Sequence, residues 1–147
     1  MKAFEQAKGC LSLSGHADRG RDVFRGLCAP CHRLDQVGVA VGPDLFDIRN
    51  QSKEAILLHV VVPEQEVAPN FVNYLCETKD GRVLSGLLVT ETPSAVTFRQ
   101  AQGIEETVLR SNVASLKAST LSLMPQEMEK GMTAQELADL LAYLKGE

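Results

Sequence analysis

The sharpest periodicity lies at the C-terminal end of the chain. Leu137, Leu140, Leu141 and Leu144 recur at i, i+3, i+4 and i+7, the spacing of one apolar helix face. Thr133 and Glu136 frame the start of that helix as a capping box, and Gly146 ends it. A shorter helix is expected over 17–25, with Asp18 in its first turn and Val23 and Phe24 apolar. Another runs from Ser52, its N-cap, to about Val62. Ile56, Leu57 and Val60 form its inner stripe, and Pro63 stops it. Residues 1–16 show no clear period and read as a loose lead-in. Residues 33–50, punctuated by Gly38, Gly42 and Pro43, read as loop.

The texture changes after Pro69. Residues 71–78 (FVNYLCET) and 83–90 (VLSGLLVT) are rich in β-formers. They flank Lys79-Asp80-Gly81-Arg82, whose Asp-Gly pair is a hairpin signal. Residues 95–99 and 106–109 read as two further short strands, separated by a turn at Gly103. Cys76 alternates with Val72 and Tyr74, which predicts a buried strand position. The order helix, helix, strands, helix points to an insertion that folds as its own small sheet or barrel.

Composition and the apolar pattern add four exclusions. At 147 residues, with 44% hydrophobic and 23% charged residues, the chain is a domain-sized globular sequence and not a disordered one. A net charge of −4 lacks the basic footprint of a nucleic-acid binder. The longest apolar stretch, near 56–62, is broken by His59 and falls far short of the roughly 18 residues a membrane span needs. The N-terminus has no continuous apolar segment of the kind an intact signal peptide carries. Aromatic residues are only 5%, with no Trp, so the core has room for another large apolar group.

The candidate chemistry sits at Cys28-Ala29-Pro30-Cys31, followed at once by His32. A zinc site needs a second ligand pair at matching spacing, and Cys10, Cys76, His16 and His59 are scattered singly. A redox dithiol of the thioredoxin type needs a βαβ setting that the flanks do not offer. The adjacent histidine fits covalent attachment of one haem c. Cys28 and Cys31 reach the two vinyl groups, and His32 places an imidazole under the iron. Candidates for the opposite ligand are Met124, Met128, Met132, His59 and His16. Met124 leads, because Pro125 argues against a mid-helix position and holds a loop methionine in place. His59 reads as a satisfied non-ligand and His16 as a solvated loop residue. Aspartates and glutamates read as solvated faces, and none is assigned a catalytic part.

Taken together, Gly20-x-x-x-Phe24, Cys28–His32, Gly42-Pro43-Asp44-Leu45, Met124-Pro125 and the Leu-rich helix with Tyr143 resemble a monohaem class I cytochrome c. The resemblance implies a mainly α cytochrome c fold carrying an inserted small β-sheet or barrel, α+β overall. It implies that the helix holding Gly20 and Phe24 crosses the last helix near Leu141 to Leu144. It also implies that the Pro43 carbonyl accepts a hydrogen bond from His32 Nδ1–H and that Met124 is the distal ligand. The corresponding division is a lead-in (1–16), a first cytochrome part (17–69), a β-rich insertion (70–116) and a second cytochrome part (117–147). The span from His32 to Met124 exceeds that of a minimal cytochrome of this type, and the insertion accounts for the excess.

The run DGRVLSGLLVTET, with SLMP and ELADLLAYL, is similar to haem-binding C-terminal domains abundant in Planctomycetes. Those domains are often fused to β-propeller dehydrogenase-like or other export-directed modules. That likeness implies a periplasmic or otherwise exported protein, with its signal outside this sequence. The implied partner is a redox protein or a fused dehydrogenase-like domain. The same hairpin resembles the opening of an Sm-like barrel, but it lacks the cations and stacking aromatics that would bind RNA. A Cys10–Cys76 disulfide stays open for an oxidising compartment. The expected function is electron transfer with His/Met ligation and a relatively high potential, and not catalysis. The alternatives are a haem-based sensor or peroxidase-like enzyme with a labile distal ligand, and a module in which haem only staples the core.

Overall fold

The structure, a computed structural model, describes residues 2–147. Four α-helices stand toward the two ends of the described chain: α1 (Lys2–Ala7), α2 (Ala17–Leu27), α3 (Lys53–Val61) and α4 (Ala134–Lys145). Strands β1 (Arg33–Leu34) and β2 (Val37–Gly38) make a two-residue hairpin. Strands β3 (Asn73–Thr78), β4 (Val83–Glu91), β5 (Ala95–Arg99), β6 (Glu105–Leu109) and β7 (Val113–Ala118) make one antiparallel sheet in the order β6-β5-β4-β3-β7.

Helix α4 forms as its sequence dictates. The Thr133 hydroxyl accepts from the Glu136 N–H, the Glu136 carboxylate accepts from the Thr133 N–H, and Gly146 closes the helix at φ 80°. The side of α4 carrying Asp139 and Tyr143 crosses α2 at close range. A Cβ on Gly20 would lie 1.9 Å from the Asp139 carbonyl oxygen, so only glycine lets the two backbones meet there. Phe24 and Tyr143 pack ring to ring beside the crossing, with centroids 5.4 Å apart. Helix α3, capped by the Ser52 hydroxyl on the Ala55 N–H, buries Ile56, Leu57, Val60 and Val61 against α4 and α1. Each such aliphatic side chain contributes about 1.5–3 kcal/mol when fully buried.

The sheet has a core of its own. Cys76, Val96, Phe98 and Val108 are buried on one face, with Tyr74, Leu84, Leu88, Val113 and Leu116 around them. Irregular register at Glu77/Thr78 and between Leu88 and Thr90 bends the sheet over this cluster. Its edge strands β6 and β7 are not hydrogen-bonded to each other, so it is an open sheet and not a closed barrel.

Two expectations change, and one open pairing is answered. The expected mainly α cytochrome c fold is overturned, because strands hold nearly as many residues as α-helices and the large sheet is an equal architectural partner. Its fifth strand, Val113–Ala118 (VASLKA), carries no clean alternation and so gives no strand signal in the sequence. The lead-in is not loose either. Helix α1 and a 3₁₀ turn over Lys8–Ser12 bury Phe4 and Cys10 in the helical core. Finally, Cys10 and Cys76 are unpaired and lie in different cores, Cys10 among helices and Cys76 in the sheet. Among the described residues, no helix is long and apolar enough to cross a membrane.

Candidate functional site

The site is built on the loop that leaves α2. The N–H groups of Cys28 and Ala29 both close on the Phe24 carbonyl, and the His32 N–H reaches back to Cys28 O at 2.8 Å. This single tight turn puts two thiols and an imidazole on one short stretch of chain. The β1–β2 hairpin then folds the chain back, with Asp35 and Gln36 at φ 48° and 73° in its two-residue turn. The return leg lies along the cysteine loop. Val39 N–H donates to Ala29 O, and the N–H groups of Val41 and Gly42 both donate to Cys31 O.

That return leg brings Pro43 to His32. His32 Nδ1 lies 2.8 Å from the Pro43 carbonyl oxygen. A carbonyl only accepts, so Nδ1 carries the proton and Nε2 presents a lone pair. Burial pushes the His32 pKa below its ordinary value, and the Pro43 hydrogen bond opposes that shift. Burial thus favours neutral imidazole, the form that ligates a metal. Gly42 makes the approach possible, since a Cβ there would lie 2.8 Å from His32 Cε1. The Cys28 thiol is pushed up to about 11, first by burial and then by the neighbouring Cys31; burial also raises Cys31.

Cys28, Cys31, His32 and Pro43 line a cavity of about 700 Å³, and Met124 lines it as well. The size is within the range of about 300–1,000 Å³ typical of small-molecule and cofactor sites. Its remaining walls are largely apolar, including Val41, Leu45, Ile48, Val60, Phe71, Leu87 and Leu144. Met124 sits on an irregular segment between the sheet and α4, where its N–H donates to the Ser122 hydroxyl. Gln126, just beyond, ties that segment to Glu64 past the end of α3 at 2.8 Å.

The other candidates separate. His59 lines the cavity from α3. Met132 packs against the helical core, and Met128 opens a 3₁₀ turn over Met128–Gly131. His16 is exposed at the N-cap of α2. None of those three residues lines the cavity.

Sequence reading missed several positions. Asp139, read as part of a solvated face, is buried with its side chain 3% exposed. It accepts from the His16 N–H at 2.8 Å and from Gln135 Nε2 at 2.9 Å, with Arg19 3.6 Å away. Burial pushes its pKa up, but the hydrogen bonds from Gln135 and His16 and the Arg19 charge outweigh it, leaving a net lowering. Its spacing of four from Gln135 was the available signal. Leu87 and Phe71 were missed because nothing local in a strand or its approach tells which residues will face a distant cavity.

The donor set comprises two thiols, one imidazole nitrogen, one thioether and an apolar enclosure. These groups suit the edge and iron of a porphyrin and not a hard cation, which prefers oxygen ligands. No family model matches the chain. Over 55 residues it is 38% identical to a protein of Synechocystis sp. called cytochrome c-553-like. That match covers 37% of this chain and 51% of the relative, so the chain spans about half the length of the protein it matches.

Proposed function

We propose that this chain is a c-type electron-transfer protein, or an electron-transfer domain of a larger exported oxidoreductase, carrying one covalent haem. The observation that carries the reading is the convergence of Cys28, Cys31, His32 and Met124 on one largely apolar cavity, with His32 Nδ1 engaged by Pro43. The likeness to the cytochrome c-553-like protein supports the c-type assignment.

The chemistry supplied when haem is bound is one-electron exchange between Fe(III) and Fe(II). Cys28 and Cys31 would anchor the group by thioether bonds. His32 would hold the iron through Nε2, its tautomer set by the Pro43 carbonyl. Met124 offers a neutral thioether from the return segment, a donor that favours the reduced state and a relatively high potential. The largely apolar walls would limit water at the group. With His32 and Met124 both holding the group, it would leave no open site for small molecules, and a partner would exchange electrons with it through a small transient contact. The partner is a redox protein or a fused dehydrogenase-like domain, and the location is periplasmic or otherwise exported.

The test is maturation in cells that attach haem to exported apoproteins. Intact-mass analysis of the wild type is expected to show one added haem that survives denaturation. Cys28→Ala/Cys31→Ala is expected to lose it. A wild-type chain without covalent haem contradicts the reading.

A further inference from the structure

We propose that the five-stranded sheet is a working wall of this cavity, with Leu87 as its facing residue and the 100–104 turn as a clamp on the Cys-Ala-Pro-Cys loop. The proposal rests on the haem reading above and assigns the sheet a part in it.

Leu87 carries the argument. It is 6% exposed, yet it belongs to neither apolar core. Its partners across the sheet are Asn73 on β3 and Arg99 on β5, which cannot supply an apolar burial partner. What it faces is the cavity. The chain also enters the sheet along Ala68–Phe71 and leaves it along Ser122–Met124, and both segments line the same cavity. The sheet therefore grows out of the rim of the site.

The second contact lies just past Arg99, Leu87's partner at the end of β5. Gln102, at φ 65°, donates its N–H to the Pro30 carbonyl at 2.7 Å, inside the cysteine loop. Next to it, Gly103 adopts φ 73°, and a Cβ there would press Val39 Cγ1 at 3.0 Å. Val39 is itself hydrogen-bonded to Ala29. The turn thus touches the loop at Pro30 and the return leg at Val39, just past β2.

An apolar wall keeps water from the site and favours the iron state of lower charge. Opening that wall should lower the midpoint potential. The experiment compares matured wild type with Leu87→Ala, Leu87→Met, Gly103→Val and Val96→Ala. Intact mass, thermal stability and midpoint potential are measured for each. Val96 is fully buried in the sheet core and does not line the cavity, so Val96→Ala weakens the sheet without opening the wall.

The expected result is covalent haem in every variant and a lower potential for Leu87→Ala. Leu87→Met should return near the wild-type potential, because it conserves volume and polarity. Gly103→Val should shift the potential in the same direction as Leu87→Ala. Val96→Ala should lose stability with the potential unchanged. An unchanged potential in both Leu87→Ala and Gly103→Val overturns the proposal. So does a shift in Val96→Ala equal to that of Leu87→Ala. Should Leu87→Ala fail to accumulate, Gly103→Val decides alone. A wild type lacking covalent haem is a separate failure, that of the functional reading beneath.

Discussion

The helical and sheet halves of this molecule bury their cores in different ways. The helical half depends on close backbone approach: Gly20 admits α2 to within contact of α4, and a Cβ on Gly15 would lie 2.3 Å from the Ala138 carbonyl oxygen. Its core also borders the cavity, with Val60 and Leu144 reaching both. The sheet buries a smaller cluster around Phe98 that needs nothing from the helices. It meets the site through Leu87 and the 100–104 turn. The contrast teaches that one half is organised around the candidate cofactor site, whereas the other is a self-contained unit leaning on it.

The largest expected effect breaks the helical half alone. Gly20→Val drives a side chain into the Asp139 carbonyl and should cost about 4 kcal/mol or more. Phe98→Ala empties the centre of the sheet core and should cost about 3–5 kcal/mol, borne by the sheet. Two buried thiols report which half opens, since Cys10 is 1% exposed among the helices and Cys76 is 0% exposed in the sheet. Alkylation followed by peptide mass mapping should show faster labelling of Cys10 in Gly20→Val and of Cys76 in Phe98→Ala. Equal labelling of both thiols in either variant would show that the halves open together.

Asp139 ties the start of α2 to α4 and gives the helical half a pH dependence of its own. Asp139→Ala leaves the His16 N–H without its acceptor and should cost about 2 kcal/mol at neutral pH. The folded-state pKa is lowered, so the carboxylate's contribution is fully present above its unfolded value near 3.8. It is lost as the pH falls through the lower folded value. Denaturant titrations from pH 7 downward should therefore show the gap between wild type and variant closing only in strong acid.

A smaller effect concerns Cys28 in the chain without a cofactor. With its pKa at about 11, the thiol is mostly protonated at neutral pH. Alkylation of Cys28 in the folded apo chain should rise roughly tenfold per pH unit until the pH approaches 11. In the unfolded chain the rise should level off near the ordinary thiol value. The smallest expected effect is at the far end of the sheet. Val83 is 68% exposed, and Val83→Thr should change stability by no more than about 0.5 kcal/mol by thermal denaturation.

The two halves also differ in how much of them the sequence discloses. Elements with local causes were legible: the Thr133 capping box, the Ser52 cap and the strands on either side of Asp80-Gly81 all lie where their residues put them. Elements that depend on distant partners were not. Helix α1 is short, and its one buried residue, Phe4, gains its place from contacts with the rest of the helical core. Strand β7 is recruited by pairing with β3, not by its own alternation. At the candidate site, Cys28, Cys31 and His32 announce themselves by spacing, Met124 is singled out by Pro125 beside it, and Pro43 follows from resemblance. Leu87, Gln102 and Asp139 act across the fold, so only their three-dimensional neighbours reveal them.

The central claim is that the cavity holds a haem between His32 and Met124. Its most direct test is the absorption spectrum of matured protein, oxidised and reduced, for wild type and Met124→Ala. The account predicts a low-spin c-type spectrum for the wild type, with the weak far-red band of methionine on Fe(III), and loss of that band in the variant. A high-spin wild type that binds carbon monoxide readily, or a Met124→Ala spectrum identical to the wild type, would contradict it.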